Sequence, residues 1–294
     1  QKGRFRQFVQ CDIDILGDAT SLAEIELITA TTTALGKICP DRKFTVRIND
    51  REILKAMAMY AGFPEDSTDQ VFITLDKMDK IGMDGVEKEL LELGYAGEAV
   101  KEYGELLSGV QHDAAGVRAL GETLAGFLPE GQAENLADIM DTVAEVATAD
   151  FGLEFDPTLV RGMGYYTGTI FEVSMDGFGG SVAGGGRYDE MIGKFTGMET
   201  PACGFSIGFE RIVTILMDAG FTVPAAAPKT AYLFEKGMDR ERLSQVMKEA
   251  TKERMAGGQI LVAQMNKNKK FQKEQLQKEG YTEFKEFYKD PLKR

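Results

Sequence analysis

The chain has 294 residues, 43% of them hydrophobic, and a formal net charge of −13, values that describe a soluble globular protein with one large core and room for one or two smaller domains. No apolar run approaches the length that spans a bilayer as a helix, and the first residues lack the apolar centre and cleavage site of a secretory signal, which favours the cytosol. Cys11, Cys39 and Cys203 are odd in number and lack metal-ligand spacing, so no disulfide framework or zinc site is expected; the single histidine, His112, lies between two helical patterns, and Ser-His-Asp and Cys-His mechanisms are set aside.

From Gln7 to Ile15 the residues alternate, so that Gln10, Asp12 and Asp14 share one strand face and Cys11, Ile13 and Ile15 the other, which is expected to be core. Ser21 with Glu24 has the spacing of a capping box, and Leu22, Ile25 and Ile28 supply the stripe of a helix running to about Gly36. A strand at Phe44 to Ile48 follows, then a helix over Arg51 to Ala61 capped by Asn49 or Asp50 and stopped at Gly62-Phe-Pro64. Residues 65–128 read as an inserted, acidic helical subdomain, with stretches at Val86 to Leu93 and Ala96 to Leu107. Another helix is expected over Ala133 to Ala149.

The segment Leu159 to Glu172 sets Arg161 at a glycine-flanked bend, between Leu159-Val160 and Gly162-Met-Gly164, before Tyr165 and Tyr166. A planar guanidinium there can bridge a carboxylate and a phosphate, and the two tyrosines are read as opening an extended run with side chains facing opposite ways. Gly177 to Ser181 separates two strands as a hairpin would; Gly184, Gly185 and Gly186 follow, then Ala202 to Arg211 reads as a strand running into a helix. Pro224-Ala-Ala-Ala-Pro228 is a linker, and residues 229–294 alternate strand and helix as a small βαβαβ module. That module carries 16 Lys+Arg against 10 Asp+Glu, a net of +6, leaving 18 against 37, or −19, for residues 1–228. A basic module behind an acidic body suits a polyanion such as RNA, and equally a lysine-rich solvated surface.

Four ordered stretches together closely resemble the class II histidyl-tRNA synthetase family. Gly3 to Asp14 resembles the second half of motif 2, Leu159 to Glu172 the histidine-specific arginine-tyrosine signature, Ala183 to Asp189 its glycine-rich companion, and Gly204 to Arg211 motif 3. The resemblance spans nearly all of residues 1–220. It implies an α+β fold: an antiparallel class II sheet flanked by helices, with residues 1–64 and 129–223 as two parts of a catalytic domain. A helical insertion would occupy 65–128, a linker 224–228, and a shortened anticodon-binding-like α/β domain 229–294.

What the resemblance further implies is a two-step reaction, in which the carboxylate of L-histidine attacks the α-phosphorus of ATP and the histidyl group then passes to tRNA(His). Arg161 would be the catalytic cation opposing charge on the α-phosphate. Gln10, Asp14, Tyr165, Tyr166, Gly184, Gly185 and Tyr188 would bind histidine, and Arg4, Arg6 and Arg211 would bind ATP, with Mg2+ arriving with ATP and no protein-ligated metal. With Lys2, Arg4 and Arg6 are equally readable as a solubilising cluster, and Arg161 as a surface arginine paired with an acid. The family is homodimeric and cytoplasmic.

Three departures qualify the resemblance. The chain opens at Gln1 inside the motif 2 loop, so it is expected to be a fragment that lacks motif 1 and the strand bearing a second arginine, and that makes adenylate inefficiently. Gly164 stands where the family more often has aspartate. Residues 229–294 are shorter than the usual anticodon-binding domain. Two other readings remain: a non-catalytic regulatory paralogue of ATP phosphoribosyltransferase in histidine biosynthesis, and an RNA-binding relic.

Overall fold

A computed structural model describes residues 6–161, 164–221 and 228–290. The chain divides into two units, Gln1–Gly220 and Phe221–Arg294. In the first, strands β1 (Gln10–Leu16), β2 (Phe44–Asp50), β3 (Gly152–Phe155), β4 (Thr169–Met175), β5 (Ser181–Arg187) and β6 (Ala202–Gly208) form one sheet in the order β1-β6-β5-β4-β2-β3. Every neighbouring pair is antiparallel except β2 with β3. Helices α1 (Leu22–Ile38), α2 (Arg51–Tyr60), α3 (Thr68–Leu75), α4 (Met78–Glu92), α5 (Gly97–Gly109), α6 (Ala114–Thr123), α7 (Gln132–Val146), α8 (Asp189–Thr196) and α9 (Phe209–Asp218) complete an α+β unit, as expected.

Register gives the sheet two chemically distinct faces, because successive side chains along a strand alternate. One row runs Phe155, Ile48, Phe171, Gly185, Phe205 and Ile13 from β3 to β1; the adjacent row, on the opposite face, runs Glu154, Arg47, Glu172, Gly184, Ser206 and Asp12. From Phe155 to Phe205 the first row is core: the rings of Phe171 and Phe205 stack at 4.8 Å across Gly185, which has no side chain to separate them. The second row carries the polar site.

Helices α3 to α6 occupy the stretch expected as an inserted subdomain, yet Val71, Phe72, Leu75, Tyr103 and Val117 belong to the same apolar cluster as the sheet residues Val46 and Phe171. The expected Val86–Leu93 helix starts earlier, at Met78, and is broken at Gly82, whose φ of 67° is outside the helical range. Asp50 caps α2, accepting from the Glu52 amide at 2.8 Å.

Two local expectations fail for reasons of tertiary context. Ser21 makes no side-chain cap, its backbone being helical (φ −64°, ψ −8°) rather than extended, and Glu24 turns inward: it is 1% exposed and takes Arg187 on both carboxylate oxygens at 2.6 Å. The Asp18 side chain instead accepts from the amide and hydroxyl of Thr20, just before α1. The Cys11-Ile13-Ile15 face of β1 is not a sealed core, since Cys11 and Ile13 are exposed and Ile15 only half-buried. β1 is an edge strand, and alternation identifies two faces without saying that both are covered.

The second unit is the expected βαβαβ module: β7 (Lys229–Phe234), α10 (Arg240–Met255), β8 (Gln259–Gln264), α11 (Lys269–Lys278) and β9 (Tyr281–Phe287). Its strands are all parallel, in the order β8-β7-β9. Ala231, Leu233 and Leu276 form one small core, and Tyr232, Val246 and Ala250 another. Residues 224–227 of the expected linker lie outside the described residues.

Candidate active site

The polar face is cleared by glycines. A Cβ on Gly184 would overlap the guanidinium of Arg161; one on Gly186 would come within 3.1 Å of the Tyr166 ring; one on Gly204 would run into the Asp14 carboxylate and lie 3.1 Å from the Tyr188 ring. The three positions form a side-chain-free floor on β5 and β6 on which those groups rest. Gly185, expected beside Gly184 in the site, lies on the other face, where a Cβ would collide with the Gly204 carbonyl and the Phe171 ring.

A pocket of about 470 Å³ opens at the Gly184 end of this floor and gathers Gln10, Arg161, Tyr165, Tyr166, Gly184 and Arg211. Arg161 donates through Nη1 to Glu172 Oε2. The Gln10 amide donates to the Ser206 hydroxyl at 2.8 Å, which fixes it on the β1–β6 pair. Arg211, in the first turn of α9, reaches back to β5 and donates to the Ser181 carbonyl and, at 3.2 Å, to its hydroxyl. Glu210, also on the wall, accepts the Val9 amide at 2.7 Å. Two guanidiniums and two phenols thus face one space, a combination that can hold a phosphate or carboxylate beside a flat polar ring.

Tyr165 and Tyr166 do not face opposite ways. Gly164 has φ of +100°, which turns the chain, and β4 begins only at Thr169, so the two rings sit side by side at 4.2 Å. Burial, and then the neighbouring Tyr165 phenol, push the Tyr166 phenol above its ordinary range, against the opposing field of Arg161. Asp14 and Tyr188 do not line the 470 Å³ pocket. They meet each other over Gly204, the Tyr188 hydroxyl donating to Asp14 Oδ1, and burial and that carboxylate raise the Tyr188 pKa. Arg6 is exposed and off the pocket, and Arg4 and the Gly162-Met163 bend lie outside the described residues.

Sequence reasoning passed over Ser206, the part played by Gly204 and the pair Glu24–Arg187. The strand patterns were visible, but the register that sets Ser206 beside Gln10 was not. Arg187 is 9% exposed and also donates to the carbonyls of Asp18 and Thr20 at 3.0 and 2.8 Å, while its own carbonyl accepts the Thr167 amide at 2.8 Å. It therefore ties the segment after Tyr166 to the start of α1. Cys203, beside it, is a buried thiol whose pKa is driven upward chiefly by burial, consistent with an unreactive residue. His112 is exposed; its carbonyl accepts the Phe155 amide at 2.9 Å, and its side chain borders a separate cavity of about 650 Å³ among the helices.

Comparison with known proteins identifies the family. The family model for histidyl-tRNA synthetase matches residues 1–212, which contain every strand of the sheet and both guanidiniums of the pocket. The chain belongs to the histidyl-tRNA synthetase family. It is 49% identical to a histidine–tRNA ligase of Leifsonia xyli over 221 residues, covering 74% of this chain and 51% of that protein. A probable histidine–tRNA ligase of Tropheryma whipplei is 38% identical over 99% of this chain and 68% of its own length. The chain thus spans about half of the first relative and two thirds of the second. Among solved structures, the histidyl-tRNA synthetase of Nostoc sp. PCC 7120 superposes with a TM-score of 0.74 at 26% identity, covering 94% of this chain and 65% of that one. An ATP phosphoribosyltransferase regulatory subunit/histidyl-tRNA synthetase from Bacillus halodurans shares the fold, with a TM-score of 0.73 at 21% identity and 96% of this chain covered. The family fold is therefore common to both descriptions, and the pocket's side chains carry the functional argument.

Proposed function

We propose that this chain carries the histidine- and ATP-binding core of a histidine–tRNA ligase. The observation that carries the reading is the convergence of Gln10, Arg161, Tyr166 and Arg211 on one pocket over a glycine floor. In this reading the carboxylate of L-histidine lies at Arg161, its ammonium and imidazole meet the Gln10 amide and the tyrosines Tyr165 and Tyr166 and reach beyond the pocket lining toward the Asp14–Tyr188 pair, and ATP extends toward Arg211. A carboxylate oxygen attacks the α-phosphorus and pyrophosphate leaves. Arg161 opposes the negative charge gathering on the α-phosphate without having to reorganise. The terminal hydroxyl of tRNA(His) then attacks the histidyl carbonyl and releases AMP.

Mg2+ would come with the triphosphate as part of the substrate; the wall carboxylate of Glu210 beside Arg211 is of the hard-oxygen type it takes. Arg4 and Arg6 would reach the phosphates or the tRNA end, and the basic residues 229–294 would contact tRNA. Among the described residues no helix is long and apolar enough to cross a membrane. The active species is proposed to be a cytoplasmic homodimer.

Titration calorimetry with L-histidine and a non-hydrolysable histidyl-adenylate analogue tests the reading. Both are expected to bind, histidine in preference to glutamine, and Arg161→Ala is expected to weaken the adenylate analogue at least tenfold. A chain that binds neither, or that does not select histidine over glutamine, overturns it.

A further inference from the structure

Arg161 lies on the loop between β3 and β4, and a loop arginine has several rotatable bonds whose freedom opposes any single placement. Its position over Gly184 is set by a closed circuit. Glu172 receives Arg161 Nη1 on Oε2 and Arg47 Nη2, at 2.8 Å, on Oε1. Arg47 and Glu172 are direct partners across the β2–β4 pair. Arg47 Nη1 donates in turn to Asp156 Oδ2 at 3.0 Å. The other Asp156 oxygen accepts the Thr158 amide at 2.8 Å and its hydroxyl at 2.6 Å, while the Leu159 amide donates to the Asp156 carbonyl at 3.0 Å. Asp156 thereby shapes the turn that leads, through buried Leu159 and Val160, back to Arg161.

We propose that Glu172, locked by Arg47, is a positioning residue that holds the Arg161 guanidinium on the glycine floor and leaves its remaining donors to the ligand. The role played by the ligand's carboxylate rests on the histidine reading above; the placement of Arg161 does not. Charge makes both arginines necessary. Glu172 alone would pair fully with Arg161 and offset the cation the ligand needs, whereas a carboxylate shared between two guanidiniums leaves Arg161 with net positive charge to offer. The circuit is sheltered: the side chains of Arg47, Glu172 and Asp156 are 24%, 17% and 11% exposed. Burial acts against the charged form of Arg47, but Asp156 and Glu172 more than offset it, and its pKa is raised. Geometry assigns the part: Arg161 donates to Glu172, one strand over from the glycine it covers.

Two readouts test this in the full chain. In 15N-arginine NMR, with the Arg161 signal assigned by its loss in Arg161→Lys, the guanidinium of the parent is expected to rotate slowly and give separate Nη signals. Glu172→Gln and Arg47→Met should both average them, and Arg47→Lys should restore part of the separation. A guanidinium already averaged in the parent, or unchanged by both substitutions, overturns the proposal whether or not histidine binds. The second readout is the affinity ratio of L-histidine to histidinol, which lacks the carboxylate. Glu172→Gln should lower that ratio about tenfold with histidinol binding unchanged. Equal weakening of both ligands would mean that Glu172 merely supports the fold. A parent that binds neither ligand overturns the histidine reading, and the NMR result then decides the positioning alone.

Discussion

The three consecutive glycines of β5 should respond differently to one added methyl group, and Gly184→Ala against Gly185→Ala is the sharpest comparison. At Gly184 the obstacle is the end of a flexible arginine, which can swing away. Alanine also restricts the unfolded chain, a gain of about 0.4–1 kcal/mol where the backbone tolerates it, so the net change in stability should be near zero. The displaced guanidinium leaves the pocket, and losing a hydrogen bond from a charged donor costs about 1.5–3 kcal/mol, or roughly 10- to 150-fold in affinity. At Gly185 the obstacles are the backbone carbonyl of Gly204 and the Phe171 ring, neither of which can move without opening the β5–β6 pair or the Phe171–Phe205 stack. Overpacking of that kind costs about 1–3 kcal/mol or more. Urea unfolding followed by circular dichroism, paired with titration of L-histidine, separates the two effects. If Gly184→Ala unfolds as readily as Gly185→Ala, or binds histidine as the parent does, the assignment of the two faces is wrong.

Other expectations follow from buried charge. Glu24→Gln removes the bidentate partner of the buried Arg187 guanidinium and leaves it only Asp189, at 3.2 Å, as counter-charge, so the cost should approach the lower end of the roughly 3–5 kcal/mol typical of a broken buried pair, about 2–3 kcal/mol; a urea-measured loss below about 1 kcal/mol would show that the pair is not the anchor described. Asp50 is fully buried, and burial pushes its carboxyl up to about 6 against the opposing hydrogen bonds from the Glu52 amide and Gln132. The folded chain therefore keeps a proton that the unfolded chain releases. The resulting stabilisation is full below about pH 4 and is lost as pH rises to about 6, a change of roughly 3 kcal/mol at most. Asp50→Asn should flatten that part of the profile, and an unchanged slope of urea stability between pH 4 and 7 would refute the assignment. Tyr188→Phe removes the hydroxyl that Asp14 accepts; stability should change by less than about 1 kcal/mol while histidine affinity falls about tenfold, and an unaltered titration would place the Asp14–Tyr188 pair outside the site.

What the sequence made legible was whatever depends on neighbours along the chain. Alternation placed Gln10 and Asp14 on one face of β1, the glycine-rich turn before Ser181 separated β4 from β5, and apolar spacing located most helices. Errors arose where a distant group competed with a local one. Glu24 has the spacing of a capping residue, but an arginine 163 positions away offers a buried bidentate partner, a stronger interaction than one more hydrogen bond at a helix end. Tyr165 and Tyr166 alternate only if the strand has begun, and the positive φ of Gly164 delays it to Thr169.

The glycine triplet shows the same limit at the centre of the site. Spacing says that Gly184 and Gly185 point opposite ways, but only pairing says which way is which. Gly184 stands between Glu172 and Ser206, and Gly185 between Phe171 and Phe205. One glycine is small so that two phenylalanines can stack in the core, and the other so that an arginine can lie on the sheet. Arg161 is therefore set by residues contributed from β2, β4 and β5, none adjacent to it in sequence. A substitution at Arg47, which does not line the pocket, should be felt at the bound ligand as clearly as one on its wall.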